Sequence, residues 1–163
     1  MKQVFVDTNI LLDYLFERRG FYKNAERLFD YCAMRNIKIN ISSLSVVTIA
    51  YLLSKKFRIS EVKEQLEILY GFAKILPFNE RIIFLAHQSS FKDLEDAFQY
   101  FTAKEHHIPM LITRNIKDFA VDDLSILSPQ QFLEIIAKWF FTYFLQNFLT
   151  WEKYKSQNLS LFR

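Results

Sequence analysis

Short β-branched or apolar runs alternate with longer segments of helical period along this chain, a pattern that few folds other than a helix-covered parallel sheet accommodate. The strand candidates are Gln3 to Val6, Lys38 to Ile41, Ile75 to Phe78, Met110 to Ile112 and Leu124 to Leu127. Helix candidates fall near Ile10 to Phe16, Tyr22 to Met34, Leu44 to Lys55, Ser60 to Gly71, Glu80 to Ser89, Leu94 to His106 and Pro129 to Ala137. Ser60, Asn79 and Ser128 each offer an N-cap oxygen, and Pro129 suits a first helical position. The expectation is therefore an α/β fold, a three-layer α/β/α sandwich around a central parallel sheet of about five strands, followed by an aromatic C-terminal helix.

Composition narrows the function classes. A chain of 163 residues with 51% hydrophobic content can bury a core without covalent staples, and two glycines and three prolines leave little material for linkers. Cys32 is the single cysteine, which excludes an internal disulfide and a cysteine-built zinc site and favours a reducing, cytoplasmic setting. The net charge of +3 suits a polyanionic partner without resembling a nucleic-acid coating protein. Val4-Phe5-Val6 is too short an apolar run before Asp7 and Asn9 to be a signal peptide, and no transmembrane segment is expected.

In an open parallel sheet, ligands collect beyond the carboxyl ends of the strands, where strand order reverses. Asp7 follows the first strand directly, Ser42 and Ser43 the second, and Thr113-Arg114-Asn115 the fourth. Asp7 can serve as a site carboxylate or belong only to a helix start, with Thr8 and Asn9 able to cap the helix that follows. Asp93, Asp96 and Gln99 are spaced by three and share a helix face. Carboxylates one turn apart repel unless a cation or a helix N-terminus offsets the cost, and a first-turn role explains Asp93 better than Asp96. Asn115 and Asp118 follow the fourth strand closely, where they can ligate a cation or merely shape a turn. A haloacid-dehalogenase-like phosphoryl transferase would need a second aspartate two residues after Asp7. Asn9 stands there, and no Gly-rich phosphate loop is present.

Taken as a set, Val-Asp-Thr-Asn-Ile-Leu-Leu-Asp at residues 6 to 13, Glu-Asp-Ala-Phe-Gln at 95 to 99 and Thr-Arg-Asn-Ile-Lys-Asp-Phe at 113 to 119 resemble the PIN-domain family over roughly residues 1 to 135, and in particular its VapC-like ribonuclease toxins. The resemblance implies a metal-dependent endoribonuclease using Mg²⁺ or Mn²⁺, acting on RNA and paired with a small antitoxin protein. It implies Asp7 as the central ligand, Asp96 as the second, Asp118 with Asn115 at the outer edge and Asp93 as a lesser candidate, with Thr8 or Asn9 orienting a metal-bound water. Hard oxygen donors of this kind match Mg²⁺ or Mn²⁺. One position departs: the family commonly has a further acid on the helix after the second strand, and Thr48 stands there. That departure keeps open a second reading, a catalytically weakened PIN-like module that binds RNA or protein.

Arg114 and Lys117 lie nearest the acids and are the expected phosphate contacts; Arg18-Arg19 and Lys55-Lys56 with Arg58 are weaker candidates, since basic residues at helix ends also complement the helix dipole. Residues 1–137 are expected as the nuclease-like domain and 138–163 as an aromatic-rich extension. Wound as a helix, Thr142, Gln146 and Thr150 of that extension form a polar stripe on an otherwise apolar surface. Such a helix can pack on its own domain or serve an antitoxin or a second copy, so a homo-oligomer is expected.

Overall fold

The computed structural model describes residues 2–138, so the extension expected over 138–163 lies, but for Lys138, outside the described residues. In chain order the elements are β1 (Gln3–Val6), α1 (Thr8–Leu15), α2 (Tyr22–Met34), β2 (Lys38–Ser42), α3 (Ser43–Ser54), α4 (Ile59–Phe72), β3 (Ala73–Leu76), α5 (Glu80–Gln88), α6 (Leu94–Glu105), β4 (Met110–Ile112) and β5 (Ser125–Leu127), with a 3₁₀ turn at Ile116–Asp118 before β5. Residues 129–138 are again helical. The elements through Pro129 form one compact unit.

The five strands are all parallel and run in the order β3-β2-β1-β4-β5. From β1 the chain moves outward to β2 and β3, then returns across the sheet to β4 and β5, so the order reverses between β1 and β4. Right-handed crossovers require the two directions of travel to use opposite faces, which assigns α1 to α4 to one face and α5 with α6 to the other. This is the expected α/β/α sandwich. Period-2 alternation in β1 divides the core accordingly: Phe5 joins Leu76, Tyr100, Ala103, Ile108 and Leu111 in one buried cluster, while Val4 and Val6, also fully buried, point to the other face.

Three local expectations need correction. Helix α1 starts at Thr8 with Asp7 as its N-cap, so neither Thr8 nor Asn9 caps it. Helix α4 starts at Ile59, and Ser60 lies inside it; the cap is Arg58, whose backbone N–H donates to Glu61 Oε2 at 2.9 Å. Strand β3 covers Ala73–Leu76 rather than Ile75 to Phe78, because α4 passes into it without a loop and Pro77, which has no N–H to give a ladder, stops it. Asn79 does cap α5, accepting from the Ile82 N–H at 3.1 Å.

Candidate active site

The crevice at the switch point between β1 and β4 is built from the residues that leave those two strands. The Asp7 N–H donates to the Ile112 carbonyl at 3.0 Å, which extends the β1–β4 ladder by one residue and sets Asp7 beside Thr113. Asp7 is 3% exposed. The Thr113 hydroxyl donates to Asp7 Oδ2 at 2.6 Å, and the Asn9 amide donates to the same oxygen and to Thr113 Oγ1. Burial pushes the Asp7 carboxyl up to about 6; the Thr113 hydroxyl pulls it partly back and the Glu95 charge adds to the rise.

Asp96 enters from α6. It is buried in the first turn of that helix, behind Asp93, the N-cap, whose Oδ1 accepts from the Glu95 N–H at 2.7 Å. Burial raises the Asp96 carboxyl most, and the negative charges of Asp7, Asp93, Asp118 and Glu95 raise it further, to about 7. Two buried carboxylates thus face a common acidic space. Asp93 is exposed and occupied as a cap, and Asn115 and Asp118 are exposed on the 3₁₀ turn, so these three frame the rim while Asp7 and Asp96 form the floor.

Beneath the floor lies a closed ring of hydrogen bonds among Thr8, Ser45 and Gln99, all of them buried. Gln99 Nε2 donates to Thr8 Oγ1 at 2.9 Å, the Thr8 and Ser45 hydroxyls are 2.9 Å apart, and Ser45 Oγ donates to Gln99 Oε1 at 3.3 Å. With the Thr8 proton directed at Ser45, each side chain donates once and accepts once, so the ring closes with mutually reinforcing polarisation. It ties α1, α3 and α6 together directly behind Asp7 and one turn behind Asp96. The Thr8 hydroxyl takes part in this ring, and the Asn9 side chain donates to Asp7 and Thr113 and accepts from the Arg114 N–H. Thr48 is half-buried one turn after Ser45, on the same side of α3.

The expected phosphate contacts separate. Lys117 is exposed on the rim. Arg114 instead directs its guanidinium at Asp13, with Nε 3.2 Å from Oδ2, and stacks over Phe21 at 4.4 Å from the ring centroid. Lys55 and Lys56 lie over the rings of Tyr51 and Phe16. Thr113, Ser45 and Asp13 received no role from the sequence; the signals for them, a hydroxyl directly after β4, a serine on an otherwise apolar helix and an aspartate inside an apolar helical run, acquire meaning only once their partners are known.

The donors fit a hard divalent cation. Two buried carboxylates whose proton affinities are raised chiefly by burial, that of Asp96 also by the Asp7 charge, are a low-dielectric pair that lacks a compensating charge. Among the described residues no group of three or more His, Cys, Asp or Glu side chains is placed to hold a metal ion. Mg²⁺ and Mn²⁺ accept such incomplete sets, since one or two carboxylates suffice when water and substrate phosphate complete the shell.

The family model for the PIN domain matches residues 3–117. The chain is 31% identical over 141 residues to Ribonuclease VapC1 of Aquifex aeolicus, an alignment covering 82% of this chain and 94% of that protein. Among solved structures, a toxin-antitoxin complex from Klebsiella pneumoniae matches at 25% identity with a TM-score of 0.59, covering 77% of this chain and 97% of that one. DNA-bound VapBC from Salmonella typhimurium shares the fold at 14% identity with a TM-score of 0.62, covering 79% of this chain and 99% of that one. The chain belongs to the PIN-domain family.

Proposed function

We propose that this protein is a divalent-metal-dependent endoribonuclease and the toxin half of a toxin and antitoxin pair. The observation that carries the reading is the buried pair Asp7 and Asp96 at the switch-point crevice, each with its proton affinity raised toward neutrality. Its likeness to Ribonuclease VapC1 supports RNA as the substrate, and its likeness to the toxin-antitoxin complex supports a partner protein.

Asp7 and Asp96 would hold Mg²⁺ or Mn²⁺, with Asn115, Asp118 and Asp93 at the rim. When bound there, such an ion supplies an activated water and offsets the charge that builds on the phosphate. The chain's own residues do the rest. Thr113 and Asn9 fix the Asp7 carboxylate by donating to Oδ2, the Thr8-Ser45-Gln99 ring fixes the helices that deliver Asp7 and Asp96, and Lys117 meets the phosphate backbone. With Thr48 in place of a further acid, the cation would have the two floor carboxylates Asp7 and Asp96 with Asp118 only at the rim, so weak affinity is expected before RNA brings its own phosphates.

The test is cleavage of structured and single-stranded RNA by the purified chain with Mn²⁺ or with chelator. Chelator-sensitive cleavage that Asp7→Asn and Asp96→Asn abolish is the expected result. Cleavage that persists in Asp7→Asn removes the assigned mechanism, and a folded parent that binds RNA without cutting it favours the alternative, a weakened binding module.

A further inference from the structure

Asp13 is a buried charge outside the candidate site. It is 1% exposed on α1, outside the Asp7–Asp96 floor, and two arginines converge on it: Arg114 through Nε, 3.2 Å from Oδ2, and Arg18 through Nη1, 3.5 Å from Oδ1. Burial raises the Asp13 carboxyl above the ordinary value, and the Arg114 and Arg18 charges, drawn from two separate parts of the chain, offset that rise only in part. Arg18 belongs to the turn after α1; Arg114 sits between Thr113, which holds Asp7, and Asn115 on the rim.

Three interactions of Arg114 run back to residues 9–21. Its backbone N–H donates to Asn9 Oδ1 at 3.3 Å, its Nε meets Asp13, and its guanidinium covers one face of Phe21. The turn carrying Phe21 is itself set by Gly20, whose φ of +85° belongs to the region that side-chain-bearing residues rarely adopt. The rim segment is also tied at its two ends, where the Thr113 N–H donates to the Leu127 carbonyl at 2.9 Å and buried Phe119 packs edge-on against Phe91; between them, the Asn115 N–H donates to Thr113 Oγ1 and the Asp118 N–H to the Asn115 carbonyl. The last two bonds shape the stretch between those ends, and Arg114 is the residue that joins that stretch to α1.

We propose that Asp13 and Arg114 are positioning residues that clamp the segment 113–118 onto α1, holding Thr113 against Asp7 and the rim residues Asn115 and Asp118 over the floor. Arg114 then acts through the protein rather than on the RNA backbone, which leaves Lys117 as the phosphate contact of the pair. The inference rests on the ribonuclease reading only for its kinetic consequences; the clamp is a property of the metal-free chain.

Hydrogen exchange of the metal-free protein is the first arm. Asp13→Asn and Arg114→Met are expected to speed exchange of the amides at 113–118 by about tenfold or more while α5 keeps the parent rate, because only local opening is eased. Kinetics form the second arm: kcat is expected to fall about tenfold with KM for RNA within about twofold, since misplacing a site loop costs orientation rather than binding. The double variant is expected to be no worse than either single one. The slope of RNA affinity against salt should stay unchanged, whereas loss of a phosphate contact lowers it by about one.

Phe21→Leu, at a surface position, and Arg114→Lys, which keeps the charge but loses the planar fork, decide the question if Asp13→Asn does not fold; each should move exchange and kcat in the same direction by about threefold. Unchanged exchange at 113–118 in folded variants overturns the clamp. So does a higher KM with a reduced salt slope and intact kcat in Arg114→Met. If the parent cuts no RNA, the ribonuclease reading fails and the exchange arm still decides the clamp.

Discussion

Asp96 and Asp7 are costly residues for a metal-free protein to keep. Each binds its proton more tightly when folded than when unfolded, with carboxyls at about 7 and about 6 against an ordinary 3.8. A raised carboxyl contributes stability that is fully present below its unfolded value, near 4, and is lost as pH rises through 6 to 7. In chelator, the parent is therefore expected to lose stability between pH 4 and 7.5 relative to Asp96→Asn and Asp7→Asn, and the two variants should each be about 2 kcal/mol more stable than the parent at pH 7.5, measured by urea unfolding. Equal pH profiles for parent and variants would contradict the burial of the pair. Thr48→Glu supplies the missing acid one turn beyond Ser45 and is expected to tighten Mn²⁺ binding about tenfold by calorimetry, because ligand charge count tunes affinity for hard cations. Of the candidate site, the placement of Asp7 at a strand end and of Asp96 on a helix face could be read from the spacing. The Thr113 and Asn9 bonds, the Thr8-Ser45-Gln99 ring and the capture of Arg114 by Asp13 could not, since each joins residues far apart in the chain whose types are individually ordinary.

At the level of elements, the small number of glycines has a structural consequence. Helices α1, α2 and α6 each end with a non-glycine residue at positive φ, Glu17 at 46°, Asn36 at 51° and His107 at 53°. Each end is closed by a bond that spans five residues: Arg18 N–H to Asp13 carbonyl at 3.0 Å, Ile37 to Cys32 at 2.8 Å and Ile108 to Ala103 at 3.0 Å. This is the Schellman closure, normally built on glycine. Asn36 bears the left-handed conformation at little cost; His107, exposed and lacking a short amide, bears it at more. His107→Gly is expected to stabilise the protein by about 1 kcal/mol in denaturant titration, since glycine relieves the left-handed strain. Helix and strand identity was legible here because apolar periodicity is local. The β3 boundary was not, because Ile75-Leu76-Pro77-Phe78 is apolar throughout and only the direct passage of α4 into extended backbone at Ala73 decides where pairing begins.

On the scale of the whole molecule, the parallel order with its reversal between β1 and β4 gives the carboxylates a shared address, and the PIN-domain match over residues 3–117 agrees with that topology. Strand order itself could not be read from the chain, since the same alternation of elements winds into several sheets; the resemblance of the three acidic segments supplied what periodicity lacks. On the proposed reading, Asp7 and Asp96 together bind a divalent ion that must displace their protons. Calorimetric titration of Mn²⁺ in buffers of different ionisation enthalpy tests it directly, because metal binding to protonated ligands releases protons. The expected result is binding with proton release near pH 6.5, affinity about tenfold or more lower at pH 5.5 than at pH 7.5, and loss of binding in both Asp7→Asn and Asp96→Asn. Mn²⁺ affinity that is independent of pH, or undiminished in either variant, would contradict the account.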